Sequence, residues 1–118
     1  MVNIYPFYAG PGETGVDISQ AVSNLQSAYE MFVGMFSKQV LIGETGWPSK
    51  GPSYGNSVPS VANEQTYTAG VISDIGSLGS TFLFQAYDAP WLSAQNPWGP
   101  YWGLWKTTRA PKFPIPAP

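Results

Sequence analysis

Glu44 is the side chain in this sequence best placed to do chemistry. It stands in Val40-Leu41-Ile42-Gly43-Glu44-Thr45-Gly46-Trp47-Pro48-Ser49, where three apolar residues read as a buried strand that stops at a glycine and presents a carboxylate at once. A buried strand that ends in a carboxylate and a sharp turn is the arrangement at the mouth of a β/α barrel. The ordinary alternative is a solvated loop carboxylate. Gly43 and Gly46 allow close backbone approach, and Trp47 offers a flat apolar face beside the acid, which weighs against that alternative. The rival acid is Asp88, which also follows a strand-like run, so both acids can face one cleft. The favoured reading of Asp88 is structural: a hydrogen-bond acceptor that fixes the loop before Pro90.

Composition removes several other chemistries. The 118 residues contain no cysteine and no histidine. Disulfides, Cys/His zinc sites and histidine-dependent nucleophilic catalysis are therefore excluded within the chain, and no metal or other cofactor is expected. Charged residues make up 10% and aromatic residues 15%, a balance that argues against disorder. The five basic residues, Lys38, Lys50, Lys106, Arg109 and Lys112, form no cluster in sequence, so no nucleic-acid partner is expected. No apolar run approaches membrane-spanning length, and no N-terminal signal segment is expected. Met1 directly precedes a strand-like run, either as an initiator or as a residue of a longer parent chain. Asn3, Asn24, Asn56, Asn63 and Asn96 all lack Ser or Thr two residues on, so N-glycosylation is not supported.

The elements that must position these groups follow from periodicity. A first strand is expected over about 2–8, with Pro6 stopping ladder pairing, then a Gly/Pro loop over 9–15. Asp17 caps a helix over about 18–36, with Gln20 as its capping-box partner. Ile18, Ala21, Val22, Leu25, Ala28, Tyr29, Phe32 and Phe36 form its apolar stripe. A second strand covers about 40–44. The loop 48–59 lacks periodicity and reads either as a functional loop or as a mobile surface loop. Ser60 caps a second helix over about 60–75, with Val61, Val71, Ile72 and Ile75 on one face. A third strand covers about 81–87. Leu92 onward reads as coil, Pro-rich over 108–118. Strands alternating with helices predict an α/β fold with parallel strands and right-handed crossovers.

In a parallel sheet the C-terminal strand ends share one edge, where ligands bind. That edge would gather Asn3, Tyr5 and Phe7, then Glu44 and Trp47, then Gln85, Tyr87, Asp88 and Trp91. Aromatic faces with a few carboxylates and amides suit a carbohydrate. Trp47 and Trp91, beside prolines at turns, are expected to be exposed. Phe82 and Phe84 are expected in the core.

These pieces resemble a known family. Val2-Asn3-Ile4-Tyr5-Pro6-Phe7, Gly43-Glu44-Thr45-Gly46-Trp47-Pro48-Ser49, Phe84-Gln85-Ala86-Tyr87-Asp88-Ala89-Pro90-Trp91 and Tyr101-Trp102-Gly103-Leu104 are similar, in order and spacing, to the C-terminal part of family 17 glycoside hydrolases, the β-1,3-glucanases and glucanosyltransferases. The Glu-Thr-Gly-Trp-Pro-Ser string is the most specific piece, and the Asp-x-Pro-Trp and Trp-Gly-Leu pieces look fungal or bacterial. The resemblance implies that residues 1–118 are the last three βα units of a (β/α)8 TIM barrel, incomplete as a lone chain. It implies Glu44 as the nucleophile, Tyr5 beside it, and Trp47 and Trp91 along a β-glucan groove. Asn3, Tyr87 and Asp88 complete the expected substrate contacts. The implied location is extracellular or in the cell wall.

A retaining glycosidase needs two carboxyl groups about 5–5.5 Å apart, one attacking the anomeric carbon and one acting as acid and then base. In the family the second is a Glu in an Asn-Glu pair on strand four. The one such pair here, Asn63-Glu64, falls at the start of the second helix and is not that motif, so the acid/base is expected outside this chain. Gln85, Ala89, Leu92 and Gly99 (or a neighbour) replace charged groups carried by relatives, which weakens the sugar subsites more than the nucleophile. Two functions follow. One is a retaining hydrolase or transglycosylase on β-1,3-glucan, inactive as 118 isolated residues. The alternative is a non-catalytic structural or carbohydrate-binding protein. Three strands cannot close an eight-stranded barrel, and open edges seek partners: the missing part of the barrel or copies of the chain itself.

Overall fold

The computed structural model describes residues 1–9, 12 and 14–117. Its centre is a three-stranded parallel sheet in the order β1 (Val2–Asn3), β2 (Ile42–Thr45), β3 (Thr81–Leu83). Helix α1 (Ile18–Met35) connects β1 to β2, and α2 (Val61–Ser73) with the short α3 (Ile75–Leu78) connects β2 to β3. The strands are shorter than the apolar runs that announce them. β1 ends because Pro6 cannot donate to a ladder, and Pro6–Tyr8 instead forms a 3-10 turn. The expected loop over 9–15 has Gly10, Pro11 and Glu13 outside the described residues, as is Pro118 of the tail.

Asp17 caps α1, and its carboxylate accepts from the amide and hydroxyl of Ser19 at 2.9 and 2.6 Å. The bond thus goes to the second helical residue, not to a box with Gln20. These two bonds hold the exposed Asp17 carboxyl below its ordinary pKa. Ala21 and Leu25 are fully buried, and Ile18, Val22, Ala28, Tyr29 and Phe32 pack around them. Phe36 lies past the last turn and is 55% exposed, its ring stacked on Phe32.

Ser60 caps α2 by accepting from the Asn63 amide at 3.0 Å. The buried face of α2 is Glu64, Tyr67, Thr68 and Val71, an i, i+3, i+4, i+7 stripe; of the expected face Val71 is buried, whereas Val61 at the helix start and Ile75 beyond its end are exposed. A buried bond of 2.5 Å between Thr45 and Tyr67 fixes that rotation. Gly70, where a Cβ would strike the Val22 side chain, lets α2 approach α1 closely.

The tail is more than coil. Residues 85–88 pair in parallel with 102–105: Gln85 N–H donates to Trp102 O, Leu104 N–H to Gln85 O, Trp105 N–H to Ala86 O and Asp88 N–H to Trp105 O, all at 2.9–3.0 Å. The chain then reverses. Lys112 N–H donates to Leu104 O at 3.1 Å, and Phe113 is buried. Nor is 48–59 a detached loop, since the buried Ser57 hydroxyl donates to Val16 O and accepts from Val16 N–H. The core runs from Ile4 and Phe7 through Leu25, Ile42, Trp47, Tyr67 and Val71 to Trp102.

Candidate active site

Glu44 is aimed by a defect in β2. Val2 and Asn3, adjacent on β1, face Ile42 and Glu44, which are two apart; Ile42 and Thr45, three apart, face Thr81 and Leu83, which are two apart. One extra residue therefore sits in β2 against both neighbours, which defines a bulge. Regular alternation would put Glu44 on the same face as Ile42, against the helices. With the bulge, Ile42 and Thr45, both fully buried, point to the helices, and Glu44 points to the other face beside Asn3.

Tyr5 meets it there. Its hydroxyl donates to Glu44 Oε2 at 2.7 Å. The phenol is held edge-on by Trp102 at 5.3 Å, Phe84 at 6.1 Å and Tyr8 at 6.4 Å between ring centroids. Burial, then the bond and the nearby charge of Glu44, raise the Tyr5 pKa far above its ordinary value, so Tyr5 is a permanent donor. Gly46 makes the arrangement possible: a Cβ there would collide with Phe84 O and lie 3.3 Å from Trp102 Cε3.

The other expected contacts divide. Asn3, exposed at the end of β1, is the register partner of Glu44. Tyr87, Asp88 and Trp91 lie together further along, where they line a cavity of about 260 Å3 with Thr107 and Arg109. Trp91 is 74% exposed. Trp47 is not at a groove: it is 1% exposed, donates its indole N–H to Val58 O at 3.0 Å and meets Phe7 edge-on. A satisfied N–H and a large apolar ring make it a core residue. Phe82 departs the other way, at 58% exposed, because it alternates with Thr81 and Leu83 and so faces away from the helices. Asp88 is a hydrogen-bond acceptor, but toward the tail and not toward the loop before Pro90. Its Oδ1 accepts from Gly103 N–H at 3.0 Å and pairs with Lys112 Nζ at 2.8 Å.

Sequence reasoning missed the cluster around Lys112. Its side chain is 4% exposed, and its Nζ also reaches Ser49 Oγ at 2.6 Å, Tyr101 O at 3.3 Å and Glu64 Oε2 at 3.4 Å. Glu64 is 1% exposed; burial pushes its carboxyl up to about 8 against the opposing pull of Lys112. The one signal was a carboxylate inside the buried stripe of α2. Among the described residues, no group of three or more acids is arranged to hold a metal ion, and no helix is long and apolar enough to cross a membrane.

Fold and site together define a parallel α/β protein with a carboxylate–aromatic site on its sheet. The sequence model of the BtgE/BtgC glycoside hydrolase domain matches residues 1–103, and the chain belongs to that family. It is similar to a glucan 1,3-beta-glucosidase of Candida albicans, 33% identical over 103 residues that make up 84% of this chain and 32% of the relative. A cell surface mannoprotein of the same species is 34% identical over 106 residues, 88% of this chain and 27% of that protein. Among solved structures, the glycoside hydrolase family 17 β-1,3-glucanosyltransferase of Rhizomucor miehei is similar. Its active-site mutant in complex with laminaritriose aligns with a TM-score of 0.83 at 30% identity, over 98% of this chain and 42% of that one. The chain thus spans about a third of the length of the glucosidase it matches, and its resemblance to part of a family 17 glycoside hydrolase holds.

Proposed function

We propose that this chain is the nucleophile-bearing part of a retaining glycosidase or transglycosylase that acts on β-1,3-glucan. The observation that carries the reading is the Tyr5–Glu44 pair, a 2.7 Å bond on the face to which the β2 bulge turns the acid. With Oε2 held by Tyr5, Oε1 attacks the anomeric carbon. The glycosidic C–O bond breaks, a second carboxyl group protonates the leaving oxygen, and a glycosyl ester on Glu44 results. Water or a sugar hydroxyl, deprotonated by that same second group, then displaces Glu44.

The acid/base comes from outside these 118 residues. Asp88 is committed to Lys112, and Glu64 is sealed beside the same ammonium. The sheet supports an incomplete (β/α)8 barrel formed by its last three βα units. It has three strands, and exposed Phe82 lies on the face a barrel would enclose. Asn3 beside Glu44, and Tyr87 and Trp91 further out, offer contacts to the glucan. The laminaritriose bound to the Rhizomucor relative supports that substrate class, and the cell surface relative supports a wall or extracellular location.

The test is mechanism-based labelling. The protein containing this chain is treated with a 2-fluoro laminaribiosyl donor and its peptides are mapped by mass spectrometry. A glycosyl adduct on Glu44, lost in Glu44→Gln, is expected. Labelling of another residue, or glucan cleavage undiminished by Glu44→Gln, refutes the assignment. The exposed Met31, Met35, Phe36 and Phe82 favour a second reading, a non-catalytic chain that assembles with itself. That reading predicts no adduct and a native mass of many 118-residue chains.

A further inference from the structure

Lys112 lies outside every motif, yet its side chain reaches four other residues. It gathers Ser49 just after β2, Glu64 on α2, Asp88 after β3 and the Tyr101 carbonyl, at 2.6 to 3.5 Å. A lysine 2.6 Å from a serine hydroxyl suggests a nucleophilic dyad, but such a lysine must be neutral to take the proton. Here the Lys112 nitrogen is instead shared among Asp88, Glu64 and the Tyr101 carbonyl as well as Ser49.

What these bonds do lies one residue away. Trp102 sits between Tyr101, whose carbonyl accepts from Lys112, and Gly103, whose N–H is held by the Asp88 carboxylate that Lys112 pairs. The peptide groups on both sides of Trp102 therefore answer to one ammonium–carboxylate pair. Gly103 permits it, because a Cβ there would collide with the backbone of Tyr87 and Asp88. The indole so bracketed is 5% exposed and makes the shortest ring contact to Tyr5, at 5.3 Å. Tyr5 in turn holds Glu44.

We propose that Lys112 is a positioning residue for Glu44: through Tyr101, Asp88 and Gly103 it seats Trp102 against Tyr5 and so keeps the Tyr5 hydroxyl on the carboxylate. The catalytic meaning of this coupling rests on the glycosidase reading, but the coupling itself is measurable without turnover.

The experiment uses the protein containing this chain, with 13Cζ-labelled tyrosine, and NMR. The Tyr5 resonance reports its bond to Glu44, and Glu44→Gln marks the position it takes without a carboxylate partner. The Tyr67 resonance, whose hydroxyl bonds Thr45, reports the α2–β2 contact and serves as the control. Lys112→Met removes the partner of both Glu64 and Asp88 and risks unfolding, so it is combined with Glu64→Gln, which removes the more deeply buried of the two carboxyl groups, in a double variant. Lys112→Arg restores the charge. In the double variant Tyr5 is expected to move at least halfway toward its Glu44→Gln position while Tyr67 stays in place, and Lys112→Arg is expected to return Tyr5 toward wild type. A Tyr5 signal unmoved in the folded double variant overturns the proposal. So does a Tyr67 signal that moves equally, which marks a general structural role. Should wild type fail the labelling test, the glycosidase reading falls and this coupling stands on its own result.

Discussion

Replacing Glu64 by glutamine should make the protein more stable at alkaline pH and remove a pH dependence that wild type carries. The carboxyl is 1% exposed, and burial raises its pKa from the ordinary 4.5 to about 8. The folded state therefore holds a proton that the unfolded chain releases between those two values. Where the native state binds more protons, stability falls as pH rises. The stabilisation is fully present below 4.5 and is lost as pH climbs through about 8. One proton held by the folded state alone is worth about 1.4 kcal/mol for every pH unit crossed, so the whole window amounts to at most about 5 kcal/mol. Lys112 keeps Asp88 as its partner at 2.8 Å in Glu64→Gln, so no charge is orphaned by the change. Urea unfolding at half-unit steps from pH 4.5 to 9 measures the difference directly. The wild-type free energy is expected to decline across the window relative to the variant by roughly 1 kcal/mol per pH unit, with the variant the more stable at pH 9. Parallel curves would mean that Glu64 ionises in the folded protein as readily as in water, and the argument from burial would be wrong.

The two tryptophans next to prolines should behave oppositely. Trp47→Ala is expected to cost about 3–5 kcal/mol in chemical denaturation, because the ring is fully buried. Trp91→Ala should leave stability within about 0.5 kcal/mol and weaken binding of laminari-oligosaccharides, read by calorimetry on the protein containing this chain. Tyr5→Phe removes a bond to a charged group worth about 1.5–3 kcal/mol and should slow glycosyl-ester formation about 10- to 100-fold; unchanged labelling kinetics would contradict the role given to Tyr5. Gly46→Ala drives a methyl into Phe84 O and should destabilise by about 1–3 kcal/mol, with thermal melting as the check.

Much of the architecture was legible because it is carried by local rules. The Asp17 and Ser60 caps and the α1 stripe through Ala21 and Leu25 depend on residues within a turn or two of each other. What was not legible depends on distant partners. The rotation of α2 is fixed by Thr45, 22 residues from Tyr67, so a weak stripe read on its own kept Val71 but missed Glu64, Tyr67 and Thr68. Trp47 looked exposed because its neighbour is a proline; its burial depends on Phe7 and on Val58 O. Phe82 looked buried because its run is apolar, yet alternation turns it to the uncovered face. The contact between Tyr5 and Glu44 was legible through a family motif. Lys112 was not, since it meets Ser49 across 63 residues from a Pro-rich tail with no periodicity to read.

The bulge at Gly43 and Glu44 has a consequence for changes in chain length. It is slack in the strand. A residue removed from Val40 or Leu41 would exchange the inner and outer faces of the segment before it. Removal of Gly43 would not, since Ile42 and Thr45 would then be spaced as a regular strand requires, both still turned to the helices. Glu44 would keep its outward face. It would, however, be drawn along the strand by up to about one residue rise, roughly 3.3 Å, beyond the reach of the Tyr5 hydroxyl that now bonds it at 2.7 Å. Shortening the chain at that one point would preserve the fold while dismantling the site.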